Sequence, residues 1–156
     1  MTAEEAETVR IRNALSEDLD GVFRVEEQCF SVPWSRESLK GALEASYGVF
    51  CVAQTAMGDI AGYAGMYCIC GEGQITGVAV LPAYRRRGTA GALLRELERQ
   101  CRERGGTRMT LEVRASNEGA QALYRKLGYA ADGRRRGYYT RPAEDAILMS
   151  KDLTVC

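Results

Sequence analysis

Val78-Ala79-Val80-Leu81-Pro82-Ala83-Tyr84-Arg85-Arg86-Arg87-Gly88-Thr89-Ala90-Gly91 runs from an apolar strand, through a turn rich in arginine, into the start of a helix. Pro82 cannot donate to a strand ladder and ends the strand. Beyond Gly88, Leu93, Leu94, Leu97 and Cys101 fall on one helical face, and Arg95, Glu96, Glu98, Arg99 and Arg102 on the other, with Gly105-Gly106 closing the helix. The first N–H groups of a helix have no intrahelical partner and lie at the positive end of its dipole, so this junction suits a pyrophosphate. Small residues there let phosphates approach the backbone. The G-x-x-x-x-G-K-[ST] and G-x-G-x-x-G patterns of nucleotide sites are absent. An ordinary strand-to-helix turn with solvated arginines fits the same residues.

Upstream, Val9 to Asn13 alternates as a short strand does, and Ser16 offers a cap to a helix with Leu19, Val22, Phe23, Glu26 and Phe30 at helical spacing. Pro33 breaks that helix, and Ser35 can cap a second through Leu39, Ala42 and Leu43. Gly48 to Gln54 and Ile60 to Cys70 read as a hairpin about Met57-Gly58-Asp59, followed by a strand from Gly73 to Leu81. Downstream, Met109, Leu111 and Val113 alternate with Thr110, Glu112 and Arg114, so the strand turns Glu112 away from its apolar side. A helix from Asn117 to Leu127 carries the stripe Ala120, Leu123, Tyr124, Leu127 and ends at Gly128. Tyr129 to Ala131 and Ala146 to Met149 read as closing strands around a loop that holds Tyr138 and Tyr139. The order is β, α, α, three β, α, β, α, β, β: a mixed α/β layer arrangement, expected to be one domain over residues 1–156.

Composition narrows the chemistry. Lys plus Arg equal Asp plus Glu at 21 each, so no net positive field holds the chain on nucleic acid or on an anionic membrane. The arginines gather instead at Arg85–Arg87 and Arg134–Arg136, which suits a small anionic ligand. No apolar stretch approaches the roughly 20 residues of a membrane span, and Met1 to Arg10 is acidic without the apolar core of a signal peptide. A cytoplasmic protein with reduced cysteines is expected. The chain contains no histidine, so a general base must be a carboxylate, tyrosine, lysine or thiolate. Cys68 and Cys70 lack the paired C-x-x-C spacing and the histidine that would complete a zinc site, and no metal is expected.

Arg85-x-x-Gly88-x-Ala90 after a strand resembles the Q/R-x-x-G-x-G/A signature of the GNAT acetyltransferases. Leu111-Glu112-Val113-Arg114-Ala115-Ser116-Asn117, then Ala122-Leu123-Tyr124 and Leu127-Gly128-Tyr129, resemble the L-E-V-R-x-S-N and A-x-x-L-Y-x-x-x-G-F/Y stretches of RimI-type alanine N-acetyltransferases. Pro33-Trp34-Ser35, Arg136 to Tyr139 and Glu144-Asp145-Ala146 are similar to the same family in order, so the resemblance covers nearly the whole chain. Three departures stand out. Ala90 replaces the commoner second glycine, Leu81 replaces a frequent acidic residue before Pro82, and the loop after Tyr139 is short.

The resemblance implies a GNAT fold, a mixed central β-sheet with helices on both faces, and acetyl transfer from acetyl-CoA to the α-amino group of a protein. The acceptor it implies is a small-subunit ribosomal protein beginning with alanine. Val78, Ala79 and Val80 would meet the acetyl and pantetheine portion. Arg85, Arg86, Arg87, Gly88, Thr89, Ala90 and Gly91 would hold the pyrophosphate, with Asn117 a further coenzyme contact. Pro33, Trp34, Tyr138 and Tyr139 would wall the peptide site. Because an α-amino group is partly protonated at neutral pH, a base assists its attack, and Glu112 is the candidate. A phenol can protonate the departing thiolate, and Tyr124 is the candidate acid. Each also has a plain structural reading, Glu112 as a strand carboxylate near Arg114 and Tyr124 as a core aromatic. A GNAT enzyme acting on a small amine and a non-catalytic acyl-CoA-binding module are the competing functions.

Overall fold

The computed structural model describes residues 8–154; the acidic character of the N-terminus and Cys156 fall wholly or partly outside them. Val9–Asn13 (β1) is followed by a 3-10 turn and the helix Leu19–Cys29 (α1). Ser16 does not cap this helix. The Asp18 carboxylate instead accepts the Leu15 backbone N–H at 2.7 Å while pairing with Arg12 at 2.8 Å, which fixes the entry turn. Arg36–Glu44 (α2) starts as expected, with the Ser35 hydroxyl accepting from the Ser38 N–H.

Gly48–Thr55 (β2), Ile60–Ile69 (β3) and Glu72–Val80 (β4) form an antiparallel run, Thr89–Glu103 (α3) crosses over, and Arg108–Arg114 (β5) returns parallel to β4. Glu118–Lys126 (α4), Ala130–Thr140 (β6) and Ala143–Asp152 (β7) complete a seven-stranded sheet of order β1-β2-β3-β4-β5-β7-β6. The last hairpin corrects the sequence reading. Tyr138 and Tyr139 lie in strand β6, and only Arg141-Pro142 separates it from β7.

Alternation along the strands divides the core. Val49, Cys51 and Ala53 pack on one face with Leu93, Leu94, Leu97 and Cys101 of α3 and Tyr124 of α4. Phe50 and Val52 pack on the other with Leu19, Val22 and Val25 of α1 and Leu39 of α2. Helices therefore cover both faces, and each fully buried leucine contributes about 2 kcal/mol.

The sheet is not continuous across its centre. β4 and β5 pair only at Glu72–Gln74 with Arg108–Thr110. Just beyond, Gly77 opposes Gly65 while Ile75 opposes Met66, leaving Thr76 as an extra residue in β4. A bulge of this kind bends its strand. Gly77 is needed at the bend, because a Cβ there would lie 2.7 Å from the Tyr63 hydroxyl. From Ile75 onward β4 diverges from β5, and a cleft opens between them.

Candidate active site

One wall of the cleft is the unpaired edge of β4. Leu81 N–H bonds the Ala61 carbonyl, so by strand alternation Gly77, Ala79 and Leu81 face β3 while Val78 and Val80 face the cleft. Of the expected run, Val78 and Val80 thus present backbone N–H groups to the opening, and Ala79 is committed to the sheet. The Val80 carbonyl is taken by Arg85 Nε at 2.8 Å and by the Cys29 thiol at 3.5 Å.

That bond redefines Arg85. Its guanidinium turns back to the strand end and to Cys29 Sγ, 3.6 Å away, and it shapes the turn instead of facing outward. Arg87 stacks over the Tyr84 ring at 5.7 Å. Arg86 and Gly88 both adopt positive φ, 64° and 76°, folding the backbone tightly ahead of α3. Gly88 is the N-cap and supplies no side-chain acceptor, so the first N–H groups of α3, at Thr89, Ala90 and Gly91, stand at an uncapped helix start. Thr89 is buried, its hydroxyl directed at the Tyr84 carbonyl, whereas Ala90 packs on the core.

The opposite wall is β5. Met109, Leu111 and Val113 join the α3–α4 side of the core, so Glu112 projects on the other face, exposed and with no hydrogen bond or ion pair among the described residues. Tyr124 comes from α4 on the first face. Its ring is buried against Tyr129 at 5.8 Å between centroids. Among the described residues no fully buried side-chain oxygen or nitrogen lacks a hydrogen bond, and the Tyr124 hydroxyl forms none, so its oxygen reaches the surface. Burial, reinforced by the nearby Tyr139, pushes this phenol up to about 12. Tyr139 is also pushed up to about 12, by burial and then by Tyr138 and Glu112. Tyr139 therefore lies within electrostatic range of both candidate catalytic groups. Asn117 caps α4, its Oδ1 accepting the Ala120 N–H at 3.1 Å.

Two carboxylates that sequence reasoning did not single out as functional organise the acceptor side. Asp145 accepts the Gly137 N–H at 2.9 Å, which holds the Arg136-Gly137-Tyr138 bulge of β6. Glu144 accepts the Ser116 N–H at 3.1 Å and contacts Arg114 at 3.4 Å; Arg114 in turn stacks on the Tyr139 ring at 4.2 Å. Tyr138 and Tyr139 meet edge to face at 5.0 Å. The Ser31 hydroxyl donates to the Arg141 carbonyl, bringing the segment before Pro33 and Trp34 beside the β6–β7 turn. The alternation of β5 located Glu112. Local spacing marks neither Asp145 nor Glu144, because their partners, the backbone N–H groups of Gly137 and Ser116 and the guanidinium groups of Arg134 and Arg114, belong to other segments of the chain.

An exposed strand edge, an uncapped helix start and a carboxylate and phenol approaching from opposite faces of a split sheet are the layout of an acyl-transfer enzyme. The profile of the acetyltransferase (GNAT) family matches residues 19–129. The ribosomal protein bS18-alanine N-acetyltransferase of Escherichia coli is 34% identical over 140 residues, 88% of this chain and 93% of its own. A Bacillus subtilis protein provisionally given the same name is 38% identical over 140 residues, 89% of this chain and 92% of its own. The crystal structure of the Escherichia coli ribosomal-protein-S18-alanine N-acetyltransferase superimposes with a TM-score of 0.87 at 30% identity, covering 96% of each chain. The chain belongs to the GNAT acetyltransferase family, as an acetyl-CoA-dependent N-acetyltransferase.

Proposed function

We propose that residues 1–156 form one acetyltransferase domain that moves the acetyl group of acetyl-CoA to the α-amino group of a protein beginning with alanine. The acceptor in this reading is a small-subunit ribosomal protein, reached in the cytoplasm without direct contact to nucleic acid or membrane. The balance of 21 basic and 21 acidic residues is consistent with that setting, as is the absence among described residues of a helix long and apolar enough to cross a membrane. The similarity to relatives that are named for the alanine of bS18 supports the acceptor.

The observation that carries the mechanism is the separation of Glu112 and Tyr124 onto opposite faces of the sheet beside the cleft between β4 and β5. Glu112 takes the proton of the attacking amine, directly or through water. The Val78 or Val80 N–H polarises the thioester oxygen, and Tyr124 gives its proton to the departing thiolate sulfur. The helix start at Thr89–Gly91, with Arg86 and Arg87, holds the pyrophosphate. Pro33, Trp34, Tyr138 and Tyr139 wall the acceptor. Transfer is direct, in a ternary complex. The test is an acetyl-transfer screen of short peptides that differ only at the first residue, with a polyamine panel beside it. Preference for alanine is the expected result; acetylation of polyamines alone would replace this reading with a small-amine enzyme.

A further inference from the structure

Glu26 lies on the inward face of α1, only 3% exposed, and makes no ion pair among the described residues. A carboxylate taken out of water without a cation must be held by hydrogen-bond donors, or the fold loses stability. Two donors hold this one. Oε1 accepts the Trp34 backbone N–H at 3.1 Å, and Oε2 accepts the Tyr63 hydroxyl in a short contact. Burial and then Glu26 itself raise the Tyr63 phenol far above its ordinary range, so it stays protonated and able to donate. Tyr63 in turn lies against Gly77, the residue beside the β4 bulge. The chain of contacts therefore runs from Trp34, through Glu26 and Tyr63, to the bend that opens the cleft.

We infer that Glu26 is a positioning residue for the acceptor: its carboxylate latches the Pro33-Trp34 segment to α1 and, through Tyr63, to β3 beside the bend of β4, and so fixes one wall of the peptide site. The inference rests on the proposed reading that Pro33 and Trp34 face the acceptor. The latch explains an otherwise costly choice of residue. Pro33 cannot donate a backbone bond and the segment from Phe30 to Ser35 belongs to no helix or strand, so Trp34 would otherwise be held mainly by its half-buried ring. One buried acceptor gives it a fixed height over the sheet.

Trp34 is the single tryptophan of the chain, so its fluorescence reads the latch without reference to activity. Glu26→Leu removes the acceptor; Glu26→Asp withdraws it by one methylene and serves if the leucine variant does not fold. Either is expected to raise acrylamide quenching of Trp34 about twofold and the KM for an alanine-led peptide about tenfold, with the KM for acetyl-CoA unchanged. Glu26→Gln keeps an oxygen for the Trp34 N–H and should restore both values to near wild type. Unchanged quenching and peptide KM in the leucine or aspartate variant would overturn the latch, as would an equal rise in both KM values. If the wild-type chain acetylates no peptide, the functional reading fails on that result, and the quenching series still decides whether Glu26 holds Trp34.

Discussion

Arg85 Nε lies 2.8 Å from the carbonyl oxygen of Val80, so the first arginine of the cluster closes the turn onto the strand that precedes it. Arg85 and Arg86 are adjacent in sequence yet face different tasks. Arg85→Ala should weaken acetyl-CoA binding by loosening the turn, with little dependence on salt. Arg86→Ala should weaken it by loss of charge, an effect that shrinks as ionic strength rises from about 50 to about 300 mM. Calorimetric titration at both salt concentrations separates the two; matching salt dependence would show that both arginines act alike.

Gly88 is required for its backbone more than for space. A Cβ there would meet nothing within 4 Å, but φ is +76°. Gly88→Val should therefore cost about 1–2 kcal/mol of stability and weaken acetyl-CoA binding by disturbing the helix start. Gly88→Asn, better suited to this conformation, should keep most of both. Melts and binding isotherms on the folded variants are the check, and unchanged affinity in the valine variant would remove this turn from the coenzyme site.

Replacing Glu112 by Gln keeps shape and removes the base, so turnover should fall roughly a hundredfold, easing as pH rises and free amine becomes abundant. Its exposed side chain predicts an unchanged melting temperature. Tyr124→Phe should slow thiolate departure while leaving coenzyme affinity nearly intact. Because burial pushes the Tyr124 phenol up to about 12, it stays protonated through the neutral range. The raised folded pKa also means that stability is full below about pH 10 and is lost as pH rises through the folded value, since only the unfolded chain ionises there. Melts from pH 8 to 11 should show less alkaline loss in Tyr124→Phe. Normal turnover in both variants would leave the catalytic assignment without support.

Acetyl transfer through a cysteine should not occur. Burial pushes Cys51 up to about 12 and Cys101 up to about 11, away from the reactive thiolate, and no histidine is present to activate any thiol. Initial-rate plots against both substrates should intersect, and intact mass after incubation with acetyl-CoA alone should be unchanged. Parallel plots with an acetylated cysteine would reverse the assignment.

The parts of this molecule legible in sequence are those written as side-chain periods. The α4 stripe placed Tyr124 in the core, and the alternation of β5 placed Glu112 outside it. β6 was misread because it is exposed along nearly its whole length, with an Asp-Gly-Arg-Arg-Arg-Gly run that has the composition of a loop. The entry to α1 departs from the expectation because Ser16 begins a 3-10 turn, Ser16–Asp18, ahead of the helix, and the Asp18 carboxylate fixes that turn by holding the Leu15 N–H and Arg12. The cleft itself left no trace in the pattern: it lies beside one extra backbone residue, Thr76, between the pairs Met66–Ile75 and Gly65–Gly77, in a stretch of unremarkable composition. Glu26 was hidden on an apolar face, where spacing alone reads as core.

The seam between β4 and β5 has a meaning for how the chain reaches its native state. Glu72–Gln74 and Arg108–Thr110 are joined by a crossover that includes all of α3, whereas β2, β3 and β4 follow one another through short turns and can zip in sequence. The seam is therefore expected to form late, once the two ladders that it joins exist. Its three residue pairs also set the distance between the Val78 edge and Glu112. Assembly and chemistry thus depend on the same joint, and a substitution that frays it should slow refolding and turnover together.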